Sequence, residues 1–106
     1  MTEIKKVYLL ANSEWTQFKI GITKKDVNER IDNLKTGNGS EISLINTFES
    51  NHYKRIEKML HKKYNSKRLI GEWFELSDDD IIRFKDDCQK LHDAFEFLKK
   101  SDNPFI

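Results

Sequence analysis

Glu57 and His61 stand one helical turn apart within Ser50–Tyr64, a stretch whose apolar residues recur at helical spacing. Tyr53, Ile56, Glu57, Leu60, His61 and Tyr64 share one face, at the offsets of a core-facing stripe. The opposite face carries Lys54, Lys58 and Lys62, with Arg55 and Lys63 beside it. A carboxylate directed inward costs several kcal/mol unless it is paired or holds a cation. An imidazole one turn away can orient that carboxylate or shuttle a proton. Three more residues interrupt the patterns around them: Tyr8 and Lys19 in apolar or alternating runs, and Arg30 on a helical stripe. Each has a plainer reading. Glu57 at the stripe's edge would pair with a nearby Lys or Arg, and Arg30 would snorkel from its own edge. His61 would be a satisfied, half-buried histidine, and Lys19 an exposed strand lysine.

The elements that must position these residues follow from local pattern. Lys6–Leu10 reads as a strand, Asn12–Gln17 as a polar turn, and Phe18–Thr23 as an alternating strand pairing back on the first. Gly21 inside that strand signals close approach by another group. Asp26 with Glu29 opens a helix whose inner face is Val27, Arg30, Ile31 and Leu34. Thr36–Ser40 is a loop that lacks the Gly-Lys-Ser/Thr ending of a phosphate loop. Ile42–Phe48 is a third strand, Ser50 caps the central helix, and Glu72–Leu76 is a short strand. Ser77–Asp80 opens a last helix with the stripe Ile81, Phe84, Cys88, Leu91, Phe95 and Leu98, and Ser101–Ile106 forms a tail. The lone cysteine, Cys88, belongs to that core stripe, and no second ligand pair joins Cys88 and His92 into a metal site.

The expected fold is a small α/β (α+β) domain spanning residues 1–106: a mainly antiparallel sheet flanked by helices, with an additional C-terminal helix over 77–100. At 106 residues, 35% of them charged, the chain has room for one modest core. The sequence contains no apolar run long enough for a membrane helix. With no apolar signal core near the N-terminus, a cytoplasmic protein is expected. The formal net charge of +1 hides an asymmetry. Residues 1–70 hold 14 Lys+Arg against 8 Asp+Glu, while residues 71–106 hold 5 against 10. Such a basic body suits a polyanion bound on one side, and it is also ordinary surface chemistry.

Taken in order, Val7-Tyr8-Leu9 followed by Lys19-Ile20-Gly21 resembles the paired motif strands of the GIY-YIG nuclease superfamily. Lys-Ile-Gly-Ile-Thr, Ile-Glu-Lys-Met-Leu-His and Gly-Glu-Trp-Phe resemble one branch more closely, the phage T-five open-reading-frame-172 type, often described as a DNA-binding domain. The resemblance covers roughly residues 5–76 and rests on order and spacing rather than on any single motif. It implies that Tyr8 activates water, that Arg30 is the catalytic arginine and that Glu57 binds the metal, Mg²⁺. Three departures stand out. The first motif reads Lys-Val-Tyr without its glycine, Lys19 replaces the second motif's tyrosine, and Glu72 or Trp73 falls where the superfamily often has asparagine.

The chemistry is consistent with that resemblance. Mg²⁺ needs few protein ligands. Arg30 could fork two hydrogen bonds onto a phosphate, Lys19 could supply the cation that lowers the Tyr8 phenol, and His61 could assist Glu57. Lys24, Lys25, Lys54, Lys58, Lys62, Lys63, Lys67 and Arg68 are candidate DNA-phosphate contacts; a solvated face is the plain alternative. Trp15 and Trp73 could stack on an unpaired base, although core packing suits Trp73 better. Tyr8, Lys19, Arg30, Glu57 and His61 are expected to line one cleft. The function implied is Mg²⁺-dependent DNA cleavage or nicking. The alternatives are a DNA-binding module without cleavage, or a protein-interaction or inhibitor protein.

Overall fold

Three antiparallel strands, two of them alternating in and out, and a hairpin added at one side make the sheet that carries the molecule. The computed structural model describes residues 4–24 and 42–100. Strands β1 (Lys6–Asn12), β2 (Phe18–Thr23) and β3 (Ile42–Glu49) precede helix α1 (Tyr53–Lys63) and a 3₁₀ turn at Asn65–Lys67. Then come β4 (Arg68–Ile70), β5 (Trp73–Phe74), α2 (Asp78–Ile82) and α3 (Phe84–Lys100). The sheet order is β3-β1-β2-β5-β4, and every pairing is antiparallel. The helix expected from Asp26, its loop to Ser40 and the C-terminal tail lie outside the described residues, and so do Lys25 and Arg30.

Alternation sorts β1 and β2 onto two faces. Val7, Leu9, Ala11, Phe18 and Ile20 point to one side, where they meet Tyr53, Ile56 and Leu60 of α1 and Phe84 and Cys88 of α3 in the main core. Full burial of side chains such as Ile56 and Leu60 is worth about 1.5–3 kcal/mol each. Tyr8 and Leu10 point to the other side and cluster with Ile42. The β1–β2 turn is tied by Asn12, whose side-chain oxygen accepts the backbone N–H groups of Thr16 and Gln17 at 2.9 and 3.0 Å.

Three local expectations change. The strand expected over Glu72–Leu76 is only Trp73–Phe74, and it forms a hairpin with β4, a strand not among the sequence expectations. Gly71 makes the turn, at φ +57°, a backbone conformation that glycine adopts without steric cost. Ser50 does not cap α1. The helix begins at Tyr53, and the Ser50 hydroxyl is engaged one step earlier, by the His52 N–H at 2.9 Å and by Nδ1 of His92 at 2.7 Å. The last helix is broken at Arg83 into α2 and α3. Its start is as expected, because Ser77 and Asp80 form a reciprocal capping box. Its stripe also holds, with Phe84 and Cys88 buried and Ile81, Leu91 and Phe95 packed against the core. Burial, helped by the Asp87 charge, pushes the Cys88 thiol up to about 12, so the cysteine packs as an apolar group.

Candidate metal and phosphate site

The outer edge of β2 is where the unusual side chains gather. β5 pairs with β2 only at Phe18 and Lys19, opposite Phe74 and Trp73. Beyond that pairing, the carbonyl of Ile20 accepts a hydrogen bond from Nε2 of His61 at 2.8 Å. α1 therefore lies with its His61 turn against this edge, and Glu57 one turn earlier beside it. Both are half-buried, as the edge of a stripe should be. The turn between β4 and β5 brings Glu72 to the same place. Donor atoms of Glu57, His61 and Glu72 all lie within 4.8 Å of one another.

Lys19 completes the group. It is buried rather than the exposed strand lysine its plain reading gives, with only 10% of its side chain accessible. Its ammonium donates to Glu72 at 2.6 Å and stands 6.0 Å from the centre of the Trp73 ring. Burial raises the Glu57 carboxyl above the usual carboxylate range. His61 opposes the rise, Glu72 adds to it, and Lys19 opposes it.

Tyr8 stands differently. It pairs with Gly21 across the β1–β2 ladder, on the face away from α1, and its ring and hydroxyl lie directly over Gly21. A Cβ at position 21 would collide with the end of the Tyr8 ring, which is why the strand carries a glycine there. The structure thus brings Lys19, Glu57 and His61 together. The same in–out alternation puts Tyr8 with Leu10 and Lys19 on the face away from the main core, where Tyr8 stands over Gly21.

Outside this cluster an open cleft of about 830 Å³ is lined by Glu57, His61, Ile22 and Asn65, and by the basic residues Lys54, Lys58, Lys62 and Arg68. Residues 5–90 match the T5orf172 domain. The chain belongs to the T5orf172 domain family. Membership points to a DNA-binding or nuclease-like module, and the match runs past Leu76 into α3. An uncharacterized protein, 460R, of Invertebrate iridescent virus 6 is 41% identical over an alignment of 63 positions that covers 55% of this chain and 27% of that protein. No solved structure matches the chain. No helix among the described residues is long and apolar enough to cross a membrane.

The basic residues of this T5orf172 domain divide into two sets. Lys54, Lys58, Lys62 and Arg68 face the cleft and are exposed; Lys24 is exposed at the end of β2. Lys63 and Lys67 are engaged elsewhere. Lys63 pairs with Asp87 of α3 at 2.8 Å, and Lys67 pairs with Asp80 of α2. Desolvation works to raise the Asp80 carboxyl, but the bonds from Lys67 and Ser77 outweigh it and hold it low. These two lysines fasten the acidic C-terminal helices to the basic body, so the charge asymmetry is partly internal. Trp15 is half-exposed on the β1–β2 turn, edge-on to Phe18.

Glu72 is the participant to which the sequence gives no role: it stands out only as one of two residues near the superfamily's asparagine position, and a strand over Glu72–Leu76 takes it as an ordinary strand position. The available signal was Gly71: a glycine followed by a charged residue between two short apolar segments marks a hairpin turn, which projects its side chains.

Proposed function

We propose that this T5orf172 domain is a Mg²⁺-dependent DNA endonuclease or nicking domain acting on phosphodiester bonds. The observation that carries the reading is the cluster of Glu57, His61 and Glu72 beside Lys19, opening onto a cleft walled by Lys54, Lys58, Lys62 and Arg68. The donor set fits a divalent cation: two carboxylates and an imidazole within 4.8 Å of one another, one carboxyl burdened by burial that a cation would relieve. Glu57 would hold the ion. Bound there, Mg²⁺ supplies positive charge for the phosphate and the leaving oxygen.

The chain's own residues do the rest. The cleft lysines and Arg68 hold the DNA backbone without reading sequence. Arg30 forks onto the scissile phosphate, as the resemblance implies. Tyr8, in the base role the resemblance gives it, would reach the phosphate from the Gly21 side of β2. His61 fixes α1 against the strand and keeps Glu57 aimed at the cleft.

A second reading, DNA binding without cleavage, is favoured by one observation: position 19, where the resemblance places the second motif's tyrosine, is a buried lysine bonded to Glu72. Plasmid nicking with and without Mg²⁺, beside a gel-shift titration on the same preparation, separates the two. Chelator-sensitive nicking supports the nuclease. Salt-sensitive binding without nicking under any divalent ion supports the binding module.

A further inference from the structure

Glu72 is placed by a glycine turn, bonded to a buried lysine, and held beside a glutamate and a histidine. We propose that Glu57, Glu72 and a ring nitrogen of His61 form one divalent-cation site in which the Lys19 ammonium is the resident counter-ion, giving up Glu72 when the cation enters. The proposal rests on the reading that Glu57 holds the ion, and it adds the second carboxylate, the nitrogen ligand and the internal competitor.

Three observations support it. First, two carboxylates held this close repel each other unless a cation lies between or beside them, and Lys19 is that cation in the structure. Its side chain is nine-tenths buried, and its site is framed by the Trp73 ring and Glu72. Second, His61 already makes the outer contact typical of metal-ligating histidines. A carbonyl oxygen can only accept, so Nε2 donates its proton to Ile20, and the ring's lone pair is left on Nδ1. Third, the cluster abuts the basic cleft, so a displaced Lys19 ammonium has phosphate charge within its surroundings to meet.

Two consequences follow. An oxygen–oxygen–nitrogen donor set binds Mn²⁺ more tightly than Mg²⁺, because imidazole favours the first-row transition ions. Metal and DNA also promote each other's binding, since each rewards the release of Lys19 from Glu72, and such coupling is reciprocal.

The test is Mn²⁺ affinity measured by calorimetry and by electron paramagnetic resonance, without DNA. The proteins are the wild type, Glu72→Gln, Lys19→Met, and the double variant Lys19→Met/Glu72→Gln, each first shown to be folded by thermal melting. Glu72→Gln should weaken binding at least about tenfold. Lys19→Met should tighten it by about threefold, the size expected for release from a half-exposed ion pair. The double variant guards against misfolding from an abandoned lysine. It should bind at least about tenfold more weakly than Lys19→Met alone.

Equal Mn²⁺ affinity in Lys19→Met and the double variant would show Glu72 to be only a partner of Lys19, and would overturn the proposal. A wild type that binds no Mn²⁺ would overturn it as well. If the affinities fall in the predicted order but the wild type cuts no DNA, the site stands and the nuclease reading falls. If the wild type cuts DNA with metal while Glu72→Gln binds Mn²⁺ normally, the nuclease reading stands and this inference falls.

Discussion

Nε2 of His61 donates to the carbonyl oxygen of Ile20 across 2.8 Å, joining the last turn of α1 to the edge of β2 just past the last β5 pair. The same ring lies 5.2 Å from that of Phe74. His61 is therefore a structural tie as well as a member of the candidate site, and the two roles can be separated. His61→Phe keeps the ring and loses the donor. Leaving the Ile20 carbonyl without this partner should cost about 1–3 kcal/mol, read as a lower urea midpoint with an unchanged slope. Metal affinity should fall further than the loss of folded protein explains. A Phe variant that is destabilised but binds Mn²⁺ like the wild type would restrict His61 to the structural role.

Gly21 and Tyr8 form a second testable pair. Gly21→Ala places a methyl group against the Tyr8 ring and hydroxyl, in a part of the structure where Tyr8 is 1% exposed and the clash involves the far end of a rigid aromatic. Overpacking of this kind costs about 1–3 kcal/mol. Tyr8→Phe removes the nearest atom, so the double variant Gly21→Ala/Tyr8→Phe should be less destabilised than the sum of the single changes. A double-variant cycle with no coupling would show that the added methyl is accommodated by movement elsewhere.

How much of this was legible in the sequence depends on which force decides each element. The β1–β2 hairpin, the α1 stripe and the helix start at Ser77 are local: alternation, helical period and a run of acids after a serine set them, and the structure follows. Glu57 and His61 stand out because they break an apolar stripe, and both sit at its half-buried edge. The rest needs tertiary information. Whether Lys19 is buried depends on Trp73 and Glu72, more than fifty residues away along the chain. Ser50 has the residue type of a cap, yet His92 of α3 engages its hydroxyl. Lys63 and Lys67 are indistinguishable in sequence from Lys58 and Lys62; only the docking of α2 and α3 gives them acidic partners.

That division of lysines predicts two kinds of variant. Lys58→Glu with Lys62→Glu should weaken DNA binding for every sequence alike and flatten its salt dependence, by about 0.9 in log–log slope for each duplex phosphate that is no longer neutralised. Melting temperature should hardly move, because neither lysine is tied within the fold among the described residues. Lys63→Ala and Lys67→Ala should do the reverse: a loss of up to about 1 kcal/mol in stability from each partly exposed pair, with DNA affinity nearly unchanged. The comparison requires gel-shift titrations at several salt concentrations and thermal melts of the same samples. Equal losses of DNA affinity from both sets would place the bound DNA across α2 and α3 as well as the cleft.

The last prediction concerns Glu57→Gln and its pH dependence. Burial holds the Glu57 carboxyl above its ordinary value, with Glu72 adding to the rise and His61 and Lys19 opposing it. A folded-state value above the unfolded one means that the native protein binds this proton more tightly. Stability therefore falls as pH rises from the ordinary carboxylate range through the raised folded value, and the penalty is complete above that value. Glutamine is nearly isosteric and carries no charge to desolvate. Without metal, Glu57→Gln should therefore melt higher than the wild type at neutral pH, by an effect on the order of 1 kcal/mol or several degrees for a domain of this size. The gap should close as pH falls below the ordinary carboxylate range, where the wild-type side chain is itself neutral. With metal the ordering should change: a divalent ion that binds the folded wild type raises its melting temperature, while Glu57→Gln gains far less. DNA binding should persist or strengthen, and cleavage, if the nuclease reading holds, should drop by about 10²-fold or more. Melting curves across pH with and without Mn²⁺, together with plasmid nicking, check each part. If Glu57→Gln melts lower than the wild type at neutral pH without metal, Glu57 is a net stabilising member of an ion-pair network, and its burial is not a penalty that a cation relieves.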